Sequence, residues 1–226
     1  MKLLILIFFL IPIVAISQIR VDLGGFGGVS YYLGDINKSR LFYSSSPSVG
    51  AFLRYNFNPR YAVRGSLYYG SLKAKDKDFS NIYQQTRNQE FSTSIVDITL
   101  QGEFNFLPYV VGNTSFNKDN NSTYLLFGVS YFIAPNTNEP NQIAIPMGMG
   151  YKFNLKNKWA AGFEYSFRKT FTDGIDGLDG KTLLPEINKQ TGFANNKDWY
   201  SFFGVFISYM IFSQELECNA YGNKRR

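Results

Sequence analysis

The segment FTDGIDGLDGK (171–181) places Asp173, Asp176 and Asp179 three residues apart among glycines. Closely spaced carboxylates in a Gly-rich loop are what a calcium ion requires, because hard cations take oxygen ligands. The twelve-residue loop closing on a bidentate Glu is missing, so the segment reads as a solvated turn cluster, and no metal is expected. The Gly-rich LGGFGG (23–28) looks like a phosphate cradle in composition only. It lies in a strand with no helix after it, which a phosphate cradle needs. The chain contains no histidine. A Ser/His/Asp triad and a His-bound metal are therefore excluded by composition, and with them the side chain that most often acts as general base near neutral pH. Nothing marks a lone carboxylate or a Ser/Lys pair for catalysis. No catalytic residue and no cofactor is expected, and the chain reads as a non-enzyme. The remaining reactive group is a single thiol, Cys218, in the polar, basic tail CNAYGNKRR. Its meaning depends on the compartment.

The other end of the chain indicates the compartment. Met1-Lys2 is a short positive start, and Leu3 to Ala15 is an apolar run broken only by Pro12. Ala15 and Ser17 supply the small residues of a cleavage site, with Gln18 beginning the mature chain. The apolar core is too short for a membrane helix and is followed by a small-x-small site, so residues 1–17 read as a cleaved secretory signal. No cysteine follows the site, so no lipid attachment is expected there.

Hydrophobic residues make up 45% of the sequence and aromatic residues 18%, nearly all of them the 16 Tyr and 22 Phe. No block after residue 17 approaches the ~18 apolar residues of a membrane helix. Alternation carries the apolar surface instead, since strand side chains point to opposite faces with period two. In 143–153, Ile143, Ile145, Met147, Met149, Tyr151 and Phe153 alternate with small or charged residues. In 159–170, Trp159, Ala161, Phe163, Tyr165 and Phe167 do the same, and in 93–106 Val96, Ile98, Leu100, Phe104 and Phe106 form the apolar set. Segments 19–32, 48–58, 60–72, 123–133 and 199–212 alternate less strictly. Eight strands of ten or more residues are predicted.

Sandwich strands usually run to ~5–6 residues and turn their large apolar groups inward. Membrane strands need ~9–11 residues and an apolar outer face edged with aromatics. The predicted strands are long, and Tyr31, Tyr55, Tyr61, Tyr69, Tyr151, Trp159, Trp199 and Tyr209 fall near their ends. The expected fold is an all-β, transmembrane, antiparallel up-and-down β-barrel of about eight strands over residues 18–212, with a tail at 213–226. The connections Asn58-Pro59-Arg60 and Lys156-Asn157-Lys158 are short, and those at 33–47, 73–91 and 173–198 are long. Short turns and both mature termini are therefore expected in the periplasm and the long loops outside. The connection at 107–122 does not fit a short turn. It carries a function of its own or marks a miscounted strand.

The opposite parity puts Arg20, Asp22, Arg54, Arg64, Asp97, Glu103, Lys152, Glu164 and Arg168 inside. The interior of an eight-stranded barrel is just wide enough to be filled by side chains. Charges enclosed there must pair to offset desolvation. A structural ion-pair plug is expected, and a charged groove for a ligand is the alternative. The formal net charge of +6 is spread along the chain, which points to anionic outer-membrane lipid and not to nucleic acid.

Three stretches resemble a known family. GGFGGVSYYLGDI (24–36) runs a Gly-rich strand into Tyr-Leu-Gly-Asp, RNQEFSTSIVDITLQGEFNFLPY (87–109) ends in Glu-Phe-Asn-Phe-Leu-Pro-Tyr, and DWYSFFGVFISYMIF (198–212) is a last strand before a cysteine tail. Together they resemble the PorG-like outer-membrane barrels of the Bacteroidetes, a component of the type IX protein secretion system. The resemblance implies a non-catalytic role: tying a periplasmic ring, made of a PorK-like lipoprotein and its PorN-like partner, to the outer membrane.

The periplasm is oxidising, and one leftover cysteine in an exported chain suggests an intermolecular disulfide or a free thiol. Cys218 lies six residues beyond Phe212, at most ~20 Å of extended chain. It is a candidate for a cross-link, with the resemblance pointing to a ring lipoprotein as partner; an incidental tail cysteine is the other reading. Lys224, Arg225 and Arg226 would then face lipid head groups or an acidic partner. Against the secretion anchor stands a small stand-alone barrel that works through loops 33–47, 73–91 and 173–198 in surface binding or envelope integrity. A lipid-modifying enzyme is disfavoured by the missing histidine.

Overall fold

Period-two alternation along eight long segments builds a wall with two chemically opposite faces. The computed structural model describes residues 19–111, 121–135, 137, 139–155, 157–172, 174–178, 183–184, 189–190 and 197–213. The signal segment with Ala15, Ser17 and Gln18, the tail with Cys218, and Asp173 and Asp179 lie outside the described residues. The wall consists of β1 (Arg20–Leu33), β2 (Ser46–Asn56), β3 (Tyr61–Lys75), β4 (Glu90–Asn105), β5 (Asn121–Ile133), β6 (Asn141–Asn154) and β7 (Trp159–Thr170), completed by β10 (Trp199–Ser213). Each strand pairs antiparallel with its neighbour in this order, and β10 returns to β1, closing an eight-stranded barrel. Closure leaves no sheet edge, which is the condition for strands in lipid. The remaining pair, β8 (Leu183–Leu184) and β9 (Lys189–Gln190), forms a separate two-stranded sheet within the long β7–β10 connection.

The barrel is apolar outside and charged within. Leu23, Leu53, Leu67, Ile98, Val129 and Ile207 all face outward and are about half exposed. This is inverted relative to a water-soluble sandwich and matches the lipid-facing belt of an outer-membrane barrel. Tyr55, Tyr61, Tyr151, Trp159 and Tyr209 lie near the end where β1 begins and β10 finishes, here the base; Tyr31, Tyr69 and Trp199 lie near the other, the loop end. Tyr31 departs from the expected half-exposed girdle, being fully buried. Phe42, from the β1–β2 loop, folds down over the outer wall and packs against Tyr31, Tyr165 and Phe203, with ring centroids 5.1, 5.9 and 5.3 Å apart. Phe42 adopts φ 60°, a conformation uncommon for a bulky residue, in order to make that turn.

The closing seam depends on glycine. Gly28 and Gly204 are directly paired across β1 and β10. A Cβ on Gly28 would lie 2.1 Å from the Phe203 carbonyl oxygen, and one on Gly204 would lie 2.4 Å from the Gly27 oxygen. Close backbone approach at a barrel seam is a known use of glycine.

The expected loop at 73–91 is shorter than the sequence suggests. β3 continues to Lys75 and β4 starts at Glu90. Between them lie a 3-10 turn, Asp76–Asp78, and a short helix α1 (Ile82–Arg87). Asn81 caps α1 by accepting from the Tyr83 N–H, and Asn88 ends it at φ 50°, a left-handed cap that asparagine tolerates.

Candidate functional site

The inward-facing charges meet in two clusters. At the lower centre, Glu103 from β4 is the hub. Its carboxylate lies 3.0 Å from Arg54 Nε, 2.9 Å from Lys152 Nζ and 3.2 Å from Arg64 Nη1. Arg64 bridges onward to Glu164 at 2.6 Å. Glu164 also accepts from the hydroxyls of Tyr68 at 3.2 Å and Tyr124 at 2.7 Å. Asp22 closes the lower edge, 3.6 Å from Arg54 Nη1, and accepts from Asn56 Nδ2 at 3.2 Å. The second cluster lies toward the loop end. There Arg168 Nε meets Asp97 Oδ2 at 3.0 Å, and Asp97 also accepts from Tyr200 at 2.7 Å and from Thr99.

Aromatic faces separate and cover the cations. Arg54 and Arg64 stand over the ring of Phe52 at 4.9 and 5.0 Å. Arg168 sits between Tyr68 and Phe202 at 4.9 and 4.4 Å, and Lys152 stands 4.7 Å from the Tyr124 ring. Guanidinium groups are weakly hydrated and stack on rings, so they suit an enclosed space. Asp22, Arg54, Arg64, Asp97, Glu103, Lys152, Glu164 and Arg168 are all at most 2% exposed. Each of the four carboxylates is bound by cations or hydroxyls, so none is presented to solvent as a general base. Arg20 lies elsewhere: it is half-buried at the base, where Nη1 lies 3.5 Å from the Val111 oxygen. The β1–β10 register shifts between Val21 and Asp22, and Arg20 stands below that bulge.

The base is closed by the segment whose length did not fit a turn. After β4 the chain does not run directly into β5 but folds back across the barrel mouth. Tyr109 is 3% exposed, donates its hydroxyl to Asn154 Oδ1 at 2.8 Å, and lies 5.1 Å beneath Lys152 Nζ. Asn154 Nδ2 in turn donates to the Val110 oxygen at 2.7 Å. The Pro59 oxygen, in the β2–β3 turn, accepts from the Tyr109 N–H at 2.9 Å and from Asn105 Nδ2 at 3.0 Å. Tyr109 and Val111 pack on Ala160 and Met210. The strand count stands, and Tyr109 with Val111 forms the base plug. Residues 112–120 lie outside the described residues.

The loop end carries a cap that alternation does not reveal. The Tyr32 hydroxyl lies 2.7 Å from Asp176 Oδ2 and 2.5 Å from Asp198 Oδ1, and it accepts from the Asp35 N–H at 3.1 Å. Asp198 also accepts from the Ile175 N–H at 3.0 Å, and Asp176 from the Leu178 N–H at 2.9 Å. A second anchor joins Asp76 to Arg87 through paired contacts of 2.6 and 2.7 Å, a bidentate geometry that fixes the helix against the strand end. Burial raises the Asp176 carboxyl to about 7. Asp176 is thus held by a tyrosine and a backbone amide, and among the described residues no group of three acidic or other metal-ligating side chains is assembled.

Comparison with solved structures finds distant small barrels. The N-terminal barrel domain of Pseudomonas aeruginosa OprF is 13% identical, with a TM-score of 0.43, covering 84% of this chain and 97% of that one. Ail of Yersinia pestis, solved with the heparin analogue sucrose octasulfate, is 12% identical at TM-score 0.42, covering 85% and 99%. OprG of Pseudomonas aeruginosa is 12% identical at TM-score 0.44, covering 85% and 94%. A search of curated proteins returns no match. The model of the family described as a domain of unknown function, DUF6089, matches residues 1–220, and the chain belongs to that family.

Proposed function

We propose that this DUF6089 member is a non-catalytic outer-membrane component of the type IX protein secretion system, anchoring a periplasmic lipoprotein ring to the membrane. The observation that carries a non-conducting, anchoring role is the filled interior: the Glu103 and Asp97 clusters occupy the lumen, and Tyr109 stoppers the base. A barrel packed in this way offers its two ends for work. The assignment to type IX secretion rests on the resemblance of 24–36, 87–109 and 198–212 to PorG-like barrels. In this reading the signal at 1–17 is cleaved before Gln18, the base faces the periplasm and the loops face outward. The base presents Phe106, Leu107 and Pro108 beside the Arg60 guanidinium, which donates to the Phe106 oxygen at 2.7 Å. That surface and the 213–226 tail are where a PorK-like lipoprotein and its PorN-like partner would dock, with Cys218 as a covalent link.

The test is a non-reducing gel of native outer membranes from wild type and Cys218→Ser, alongside export of cargo in a deletion strain. Deletion is expected to stop export and release the ring. A reducible high-mass band containing a lipoprotein, absent from the variant, is expected from the link. A monomer in every lane overturns the disulfide, and normal export in the deletion strain overturns the secretion role.

A second reading is favoured by the built loop cap: Tyr32 with Asp176 and Asp198, and Asp76 with Arg87, hold an ordered outer surface. A stand-alone barrel acting through its outer loops in surface binding or envelope integrity would leave export intact and lose that phenotype when the cap is disrupted.

A further inference from the structure

The outer wall is uneven, and one face has the form of a lipid site. Between β1 and β6, Leu53, Gly65, Leu67, Ile98, Leu100 and Tyr131 border a shallow apolar groove of about 840 Å³. Gly65 is its notch, since a Cβ there would have no atom within 4 Å. On the opposite wall, Phe42 packs over Tyr31, Tyr165 and Phe203 near the loop end.

Above the groove, toward the loop end, the outward residues of β3 change character. They run Tyr69, Ser71, Lys73 and Lys75. Across the ladder on β4, Ser94 stands opposite Ser71, Ser92 opposite Lys73 and Glu90 opposite Lys75. Lys75 binds Glu90 at 3.1 Å. Lys73 is exposed, and among the described residues it has no ion-pair partner. An ammonium flanked by three hydroxyls on one face complements a phosphate, and it sits above an apolar furrow. From Lys73 down to Gly65 is eight residues, about 26 Å along a strand and roughly 20 Å of membrane depth at the ~40° tilt of a membrane barrel. That span suits one acyl chain beneath its headgroup.

We propose that this face binds one molecule of a phosphorylated glycolipid of the loop-side leaflet, with a phosphate on Lys73 and the hydroxyls of Ser71, Ser92 and Ser94, and an acyl chain in the notch over Gly65. The placement in the outer leaflet rests on the loop-outward orientation proposed above. Protease access to the loops on intact cells tests that orientation separately.

The experiment is native mass spectrometry of the full mature chain in detergent, titrated with bisphosphorylated lipid A, dephosphorylated lipid A and phosphatidylethanolamine. Wild type is expected to retain one bisphosphorylated molecule in preference to the other two. Lys73→Glu, which removes one positive charge and adds a negative one, is expected to weaken that retention by more than about five-fold, the effect of losing one interfacial charge alone. Gly65→Phe, which fills the notch, is expected to weaken it comparably. Lys169→Glu is the control, since Lys169 lies over Trp199 on another wall, and it is expected to bind as wild type does. Folding of each variant is checked by heat-modifiable migration on gels. Wild-type retention in folded Lys73→Glu or Gly65→Phe, equal loss in Lys169→Glu, or no preference for the phosphorylated lipid overturns the proposal.

Discussion

The Tyr32 hydroxyl stands 2.7 Å from Asp176 and 2.5 Å from Asp198, and its one hydrogen can serve only one of these carboxylates. The other contact requires a proton on a carboxyl group, and burial supplies the reason for that proton by raising Asp176 to about 7. Against burial, the hydrogen bonds from Tyr32 and the Leu178 N–H lower it, Asp35 raises it and Arg87 lowers it. The folded value exceeds the ordinary aspartate value of 3.8, so the folded cap takes up protons as pH falls. Its stabilisation is fully present below about pH 4 and is lost as pH rises through 7. Protection of the amides of 32–37 and 174–178, taken as exchange relative to the base-catalysed intrinsic rate at each pH, is expected to be greater at pH 5 than at pH 8. Asp176→Asn, which mimics the protonated acid, is expected to flatten that dependence. Equal protection at both pH values in wild type counts against the shared proton.

The same cap explains Leu-Gly-Asp. A Cβ on Gly34 would lie 1.9 Å from the Tyr32 hydroxyl oxygen and 2.4 Å from Asp198 Oδ1. Gly34→Ala is therefore expected to separate Tyr32 from Asp198 and expose the 171–178 loop to protease, while the barrel keeps its heat-modifiable migration. The check is limited proteolysis of folded protein. Unchanged cleavage would show that the loop tolerates the methyl group.

How much of this could be read from the chain follows from range. Wall and interior were legible because parity is local: once alternate residues face lipid, Glu103, Arg54, Lys152 and Arg168 have to face inward. The parity rule stopped at the bulge after Val21, and Arg20 lies at the rim instead of the centre. Tyr109 follows a proline in a segment with no period, so only its excess length signalled a role. Asp76 and Arg87 lie in a stretch that reads as polar loop, and Tyr32 and Asp198 meet across 166 positions, a pairing that no local pattern encodes. Tyr31 followed parity, yet a loop residue, Phe42, covers it.

Glu103 is the most heavily loaded buried carboxylate, contacting Arg54, Arg64 and Lys152. Its removal leaves three cations enclosed without their shared anion. Glu103→Ala is expected to destabilise the barrel by roughly 3–5 kcal/mol, the usual cost of breaking a buried pair. The double variant Glu103→Ala/Lys152→Met is expected to recover part of the loss. Urea unfolding in lipid measures both. An equal cost for the single and double variants would mean that the Lys152 ammonium left without Glu103 is not the source of the loss.

Tyr109 is the test of the base plug. It fills the barrel mouth beneath Lys152 and is tied to Asn154 and, through its backbone, to Pro59. Tyr109→Ala deletes a buried aromatic ring, a change that costs about 3–5 kcal/mol in a packed core. Tyr109→Phe removes only the hydroxyl and leaves the Asn154 oxygen without that donor, at a cost of about 1 kcal/mol. Hydrogen exchange of 106–111 is expected to rise strongly in the first variant and slightly in the second, with the 174–178 cap unchanged in both because it closes the opposite end. A uniform rise across both ends would mean that the ring supports the whole barrel and not the base alone.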